Sequence, residues 1–127
     1  MQGFSPKSVQ AINDFVGNLG MSPVGPAEDG SYNFAFERAG ILGFAPSADG
    51  KRAIMSLKAA RADRPTADDM ARFLSLAQRD PMTQLPITAG MVGGAFVLAA
   101  NIPSNAFDLQ KIEHCLDRLI QLQSGAP

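Results

Sequence analysis

Thiol and imidazole chemistry is nearly absent from this sequence, which holds one cysteine, one histidine and no tryptophan in 127 residues. One cysteine excludes an internal disulfide and any thiolate zinc cluster. It also fits a reducing compartment. Basic charge is not in surplus: 11 Lys+Arg stand against 12 Asp+Glu, for a net charge of −1. A chain without spare cations is a poor neutraliser of phosphates, so no nucleic-acid partner is expected. Long apolar runs are missing too. The longest stretch, Gly90 to Ala100, is Gly- and Ala-rich and falls well short of the roughly 20 residues of a membrane helix, so no membrane insertion is expected. Met1 to Lys7 lacks a basic segment followed by an apolar core, so no signal peptide is expected and a cytoplasmic location is. What remains is globular in composition, 46% hydrophobic and 18% charged. It suffices for one domain over 1–127 with one core.

The pattern along the chain predicts three helices and five strands. Ser5 is a good N-cap and Pro6 suits the first helical position. Val9, Ile12, Val16 and Leu19, with Phe15 beside them, give the apolar stripe, and Gly20 can supply a left-handed cap. After the turn at Glu28-Asp29-Gly30-Ser31 the period becomes two, with Tyr32, Phe34 and Phe36 on one face. Arg38-Ala39-Gly40 connects to a second strand, Ile41 to Ala45, with Leu42 and Phe44 on one face. Asp49-Gly50 is a hairpin signal, and Ala53 to Ala59 follows with Met55 and Leu57 on one face and Ile54 and Ser56 on the other. These three strands are expected to form an antiparallel meander. Thr66 caps a second helix with Asp68 and Asp69 in its first turn and a stripe of Met70, Phe73, Leu74 and Ala77, ending at Asp80-Pro81. Gln84 to Thr88 reads as a weak strand, interrupted by Pro86. Gly90 to Gly94 reads as a turn, and Ala95 to Ile102 as a strong strand. Asn105 is the expected cap of a last helix with a stripe of Leu109, Ile112, Leu116, Leu119 and Ile120. The class is therefore α+β, an antiparallel sheet with helices in the order helix, three strands, helix, two strands, helix. The strand at 95–102 is apolar on both sides, with Phe96 and Leu98 on one and Val97 and Ala99 on the other. A second cover for that strand, such as a partner subunit, accounts for this; tolerance of water by an Ala-rich strand is the alternative.

Catalytic material is sparse. His114 and Cys115 are adjacent, so on a helix they point about 100° apart and do not form a nucleophile–base pair. His114 with Asp117 is too small a set for a metal site, and no cofactor is expected. Asp68-Asp69 is explained by helix capping. Gly93-Gly94 lacks the Lys-Ser/Thr of a phosphate loop. Ser5, Ser56 and Ser75 have no elbow motif around them. Tyr32, Phe34 and Phe36 lack the basic density of a base-stacking sheet. Binding, not catalysis, is the expected business of the chain, with no catalytic residue and no metal ligand.

Several patterns together resemble the class I type III secretion chaperones, the Tir-chaperone-like family, from about Ser8 to Gln123. They are Phe15-Val16-Gly17-Asn18-Leu19-Gly20 at the end of the first helix, Glu28-Asp29-Gly30 before Ser31-Tyr32-Asn33-Phe34-Ala35-Phe36, and Ala53-Ile54-Met55-Ser56-Leu57 after the Asp49-Gly50 turn. Ala71-Arg72-Phe73-Leu74, Asn101-Ile102-Pro103, Phe107-Asp108-Leu109 and Leu116-Asp117-Arg118-Leu119 complete the set. The segment from Ala59 to Arg64 departs from the family by lacking its Gly-Pro-rich link. The YbjN-like domains share much of the element order and are the alternative, as regulatory protein-interaction domains. The resemblance implies a non-catalytic homodimer that holds the N-terminal region of a secreted effector in extended form in the bacterial cytoplasm, with the secretion apparatus as a further partner. It implies a dimer interface at Met70, Phe73, Leu74, Ala95, Val97 and Ala99. Its effector-binding candidates are Phe34, Phe36, Ile41, Phe44, Ile54 and Met55; both faces of the meander carry some of them, and one face must be core.

Overall fold

The computed structural model describes residues 4–21, 25, 27–28, 30–36, 40–59, 67–92 and 95–125. The expected cap Thr66, the Arg38-Ala39 connection, the polar stretch 61–65 and the Gly93-Gly94 turn lie outside them. The elements are α1 (Pro6–Asn18), β1 (Tyr32–Phe36), β2 (Gly40–Pro46), β3 (Arg52–Lys58), α2 (Ala67–Leu74), β4 (Ile87–Val92), β5 (Ala95–Pro103) and α3 (Leu109–Gly125), with a short 3-10 turn at Ser104–Ala106. This is the α+β order expected from the sequence.

All five strands form one sheet in the order β1-β2-β3-β5-β4, antiparallel throughout. Its register places Leu42 opposite Phe34 and Leu57, and Leu57 opposite Leu98. Residues that pair across strands share a face, so Tyr32, Phe34, Leu42, Phe44, Met55, Leu57, Phe96, Leu98, Ala100 and Ile102 make one continuous apolar layer, all buried. Helices α1 and α3 cover it. Phe44 is its hub, meeting Phe15, Phe34 and Phe107 edge-on at centroid distances of 6.0 to 6.1 Å. Helix α2 adds Phe73, stacked on Phe96 at 4.3 Å.

Local chemistry sets the helix ends. The Ser5 hydroxyl accepts from the Ser8 amide, and Pro6 opens α1. The helix closes in a Schellman motif: Gly20 takes φ +77°, its amide donates to the Gly17 carbonyl, and the Met21 amide donates to Val16. The buried stripe is Ser8, Ala11, Ile12, Phe15 and Val16. Val9 is half-buried and Leu19 is 46% exposed, so the stripe starts one position earlier than expected and stops at Val16. The cap of α3 is Asp108, whose carboxylate accepts from the Lys111 amide at 2.8 Å, and not Asn105. Helix α2 ends at Leu74, before the expected Asp80-Pro81 stop, and buries Phe73 alone; Leu74 and Ala77 are exposed. Strand β4 starts at Ile87, after Pro86, and runs through Gly90, which lies within the strand and not in a turn. Gly40 enters β2 at φ +107°, where a Cβ would collide with the Lys58 carbonyl.

The segment between α2 and β4 is held by a buried carboxylate. Asp80 accepts from the Thr83 amide at 2.9 Å and the Thr83 hydroxyl at 2.8 Å, and pairs with Arg118 Nε of α3 at 2.8 Å. Lys111 of α3 donates to the Thr83 carbonyl. The network holds Gln84 at φ +61°, a conformation that costs about 1 kcal/mol in a residue with a side chain. Burial works to raise the Asp80 carboxyl, but the bonds from Arg118 and Thr83 outweigh it and hold the group below the usual carboxylate value. Its unfolded value is near 4. Stabilisation is therefore complete above that value and is lost as pH falls through the lower folded one. Urea denaturation of wild type and Asp80→Asn should differ by about 1–3 kcal/mol at neutral pH and converge in acid. A difference that stays constant into acid would assign the loss to packing instead of charge.

Candidate functional site

The residues with reactive side chains do not assemble. Cys115 lies on the buried side of α3 with 1% of its surface exposed, and burial pushes its thiol up to about 12, far from a reactive thiolate. His114 is exposed on the neighbouring face. Among the described residues no group of three His, Cys, Asp or Glu could hold a metal ion.

The surface is more informative. The three helices pack on one side of the sheet, and the side chains of alternate strand residues stand on the other. Three rows cross this open face. Ile41 pairs with Lys58 and Lys58 with Val97; Gly43 with Ser56, Ser56 with Ala99 and Ala99 with Thr88; Ala45 with Ile54 and Ile54 with Asn101. The centre is made of small groups. A Cβ on Gly43 would sit 2.8 Å from the Ser56 hydroxyl and 3.0 Å from the Asn33 side-chain oxygen, so the middle of the face is smooth and has no room for a larger residue at that point. Apolar side chains stand around it: Ile41, 41% exposed, with half-buried Ile54 and Val97.

This geometry divides the residues expected to bind. Phe34, Phe44 and Met55 lie in the core under the helices and offer no surface. Phe36 is half-buried against that core. Ile41 and Ile54 stand on the open face. Of the residues expected at a dimer interface, Phe73 and Ala95 are buried within the chain, Met70 is half-buried and Leu74 is half-exposed, while Val97 and Ala99 share the open face with Ile41 and Ile54. Two residues expected to bind a client, Ile41 and Ile54, and two expected at a dimer interface, Val97 and Ala99, thus meet on one surface. The sequence reading missed Met91 and Val92 at the end of β4, the latter 56% exposed. They belong to the strand against which α2 packs. Their signal was a Met-Val pair just before the Gly93-Gly94 turn, which the turn assignment absorbed.

The described residues thus form an antiparallel sheet covered by helices on one face and open on the other. A family model describing the Tir chaperone protein (CesT) family matches residues 10–125. The chain belongs to that family. No curated protein matches it by sequence. Solved structures match by fold. A chain of the crystal structure of the Yersinia pestis type III secretion chaperone SycH in complex with a stable fragment of YscM2 is similar with a TM-score of 0.71 at 13% identity, over 94% of this chain and 99% of that one. A chain of the ExsC–ExsE complex gives 0.74 at 16%, over 99% and 98%. A chain of the ExoT–SpcS complex from Pseudomonas aeruginosa gives 0.64 at 16%, over 98% and 100%. The YbjN-like alternative finds no support among these matches.

The two faces should respond differently to charge. Phe44→Asp places a carboxylate in the aromatic hub and should cost on the order of 4 kcal/mol or more in urea denaturation. Ile54→Asp, on the open face, should stay within about 1 kcal/mol of wild type. Equal losses would place Ile54 in the core.

Proposed function

We propose that this protein is a type III secretion chaperone: a homodimer that binds the N-terminal region of a secreted effector in extended form, keeps it competent for secretion in the bacterial cytoplasm, and catalyses no reaction. The family match over residues 10–125 carries this reading. The relatives' contexts support it, since solved neighbours include a chaperone–effector complex, HopA1–SchA. The cytoplasmic location rests on the family; among the described residues no helix is long and apolar enough to cross a membrane.

The physical logic agrees. An extended polypeptide needs apolar contacts for its side chains and free main-chain groups for its backbone. Ile41 and Ile54 on β2 and β3 supply the first. Strand β1 is one of the two sheet edges, pairing with β2 alone, and supplies the second. We place the dimer contact at the β5–β4 side of the sheet, with Val97, Ala99 and the exposed Val92 on the open face and Met91, with Met70 and Leu74 of α2, on the helix-bearing face beside the same edge.

Affinity purification of the tagged protein from its host's cytosol, followed by mass spectrometry and limited proteolysis, should recover one larger protein protected in a short segment near its N-terminus. Recovery of folded partners without a protected segment, or of no client, would overturn the reading. In sedimentation at micromolar concentration wild type should be a dimer. Val97→Arg should give monomers or insoluble protein, because a desolvated unpaired charge is costly. A Val97→Arg dimer that stays in solution would remove β5 from the interface.

A further inference from the structure

The five strands contain two charged residues, Arg52 and Lys58, and no Asp or Glu. Both cations belong to β3. They occupy its two ends on the open face, in the same alternation as Ile54 and Ser56. Arg52 lies opposite Pro103, at the end of the seam between β3 and β5. There the chain forms a cleft of about 200 Å³ lined by Arg52, Arg79, Gln84, Pro86, Asn101 and Pro103. Arg79 is brought in by its bridge to Pro86, and so by the turn that the Asp80–Arg118 pair holds in place. The ion pairs among the described residues are Arg72–Asp69 and Arg118–Asp80. Neither Arg52 nor Arg79 meets a carboxylate there, and both are exposed.

Two guanidinium groups on one small cleft repel each other, and an anion between them relieves that repulsion. The planar fork of an arginine matches a carboxylate in a bidentate pair, and the Asn101 amide adds a donor. Lys58, at the far end of β3, is the one other charge that the strands carry, and the centre of the face between is apolar or small, which suits a polypeptide with scattered carboxylates and not a polyanion. We infer that this cleft is a carboxylate site for the bound client: an extended segment lying over Ile54 presents an acidic side chain to Arg52 and Arg79. The inference rests on the chaperone reading for the identity of its partner and goes beyond it in assigning that partner's chemistry.

The test uses short fluorescein-labelled peptides in which Val alternates with Glu or with Gln, read by anisotropy on the full chain. The Glu peptide should bind roughly tenfold more tightly than the Gln peptide, and more weakly as salt rises. Arg52→Gln combined with Arg79→Gln should remove that preference, while Lys7→Gln, at an exposed position of α1, should leave it within about twofold. Equal binding of the two peptides by wild type, no binding of either, or an equal loss with Lys7→Gln would overturn the site. So would a double variant that keeps the preference but dissociates the dimer in sedimentation, since that assigns the arginines to contact with a second copy. The wild-type comparison stands even if the double variant folds poorly. Failure here is distinct from failure of the chaperone reading: a captured client with no Glu preference removes the cleft alone, and a Glu preference with no captured client removes the chaperone alone.

Discussion

The edge-on packing of Phe44 against Phe15, Phe34 and Phe107 joins β1, β2, α1 and the lead into α3, and the rest of the molecule is arranged around it. Aromatic pairs in this geometry add about 0.5–1.5 kcal/mol each beyond the area they bury. More importantly, they fix which face of the sheet receives the helices. Once Phe44 points toward α1, the pleat sends Leu42, Met55, Leu57 and Leu98 the same way. Ile41, Ile54, Val97 and Ala99 are then left on the other side. Among the described residues the three helices all lie on one layer and none covers the second, so the free surface follows from the core.

Where a residue's role was decided by its neighbours in sequence, it was legible there. Ser5 with Pro6 opens α1 and Gly20 closes it because capping is a matter of a few adjacent groups. The strands carrying Tyr32, Phe34, Leu42, Phe44, Met55 and Leu57 showed their buried sides through strict alternation. Errors arose where two nearby residues could do the same task. Asn105 and Asp108 can both cap a helix; the 3-10 turn at Ser104–Ala106 occupies the first and leaves the second to α3. Helix α2 stops at Leu74 although its stripe could continue, because the chain must turn back to place Asp80 beside Arg118, a partner 38 residues away. No local pattern announces that pair.

The division of candidate contact residues was hidden for a similar reason. Alternation tells that Phe44 and Ile54 face opposite ways, but not which way the helices lie. That is settled by long-range contact. The structure leaves Ile41 and Ile54 outside and takes Phe34, Phe44 and Met55 inside. It also brings Val97 and Ala99 onto the same side, a juxtaposition that depends on β5 pairing with β3 and not with its sequence neighbour alone.

That pairing has a kinetic side. The sheet consists of a β1-β2-β3 meander and a β4-β5 pair, each built from strands adjacent in sequence, joined by the long β3–β5 ladder. Local hairpins form within microseconds, whereas contacts between distant segments must first meet the entropy of loop closure. The ladder also receives a clasp from α3: the Gln123 side chain donates to the Leu57 and Phe96 carbonyls. The β3–β5 ladder, the longest-range pairing in the sheet, therefore carries its largest loop-closure cost, and the open face is complete only where that ladder is formed.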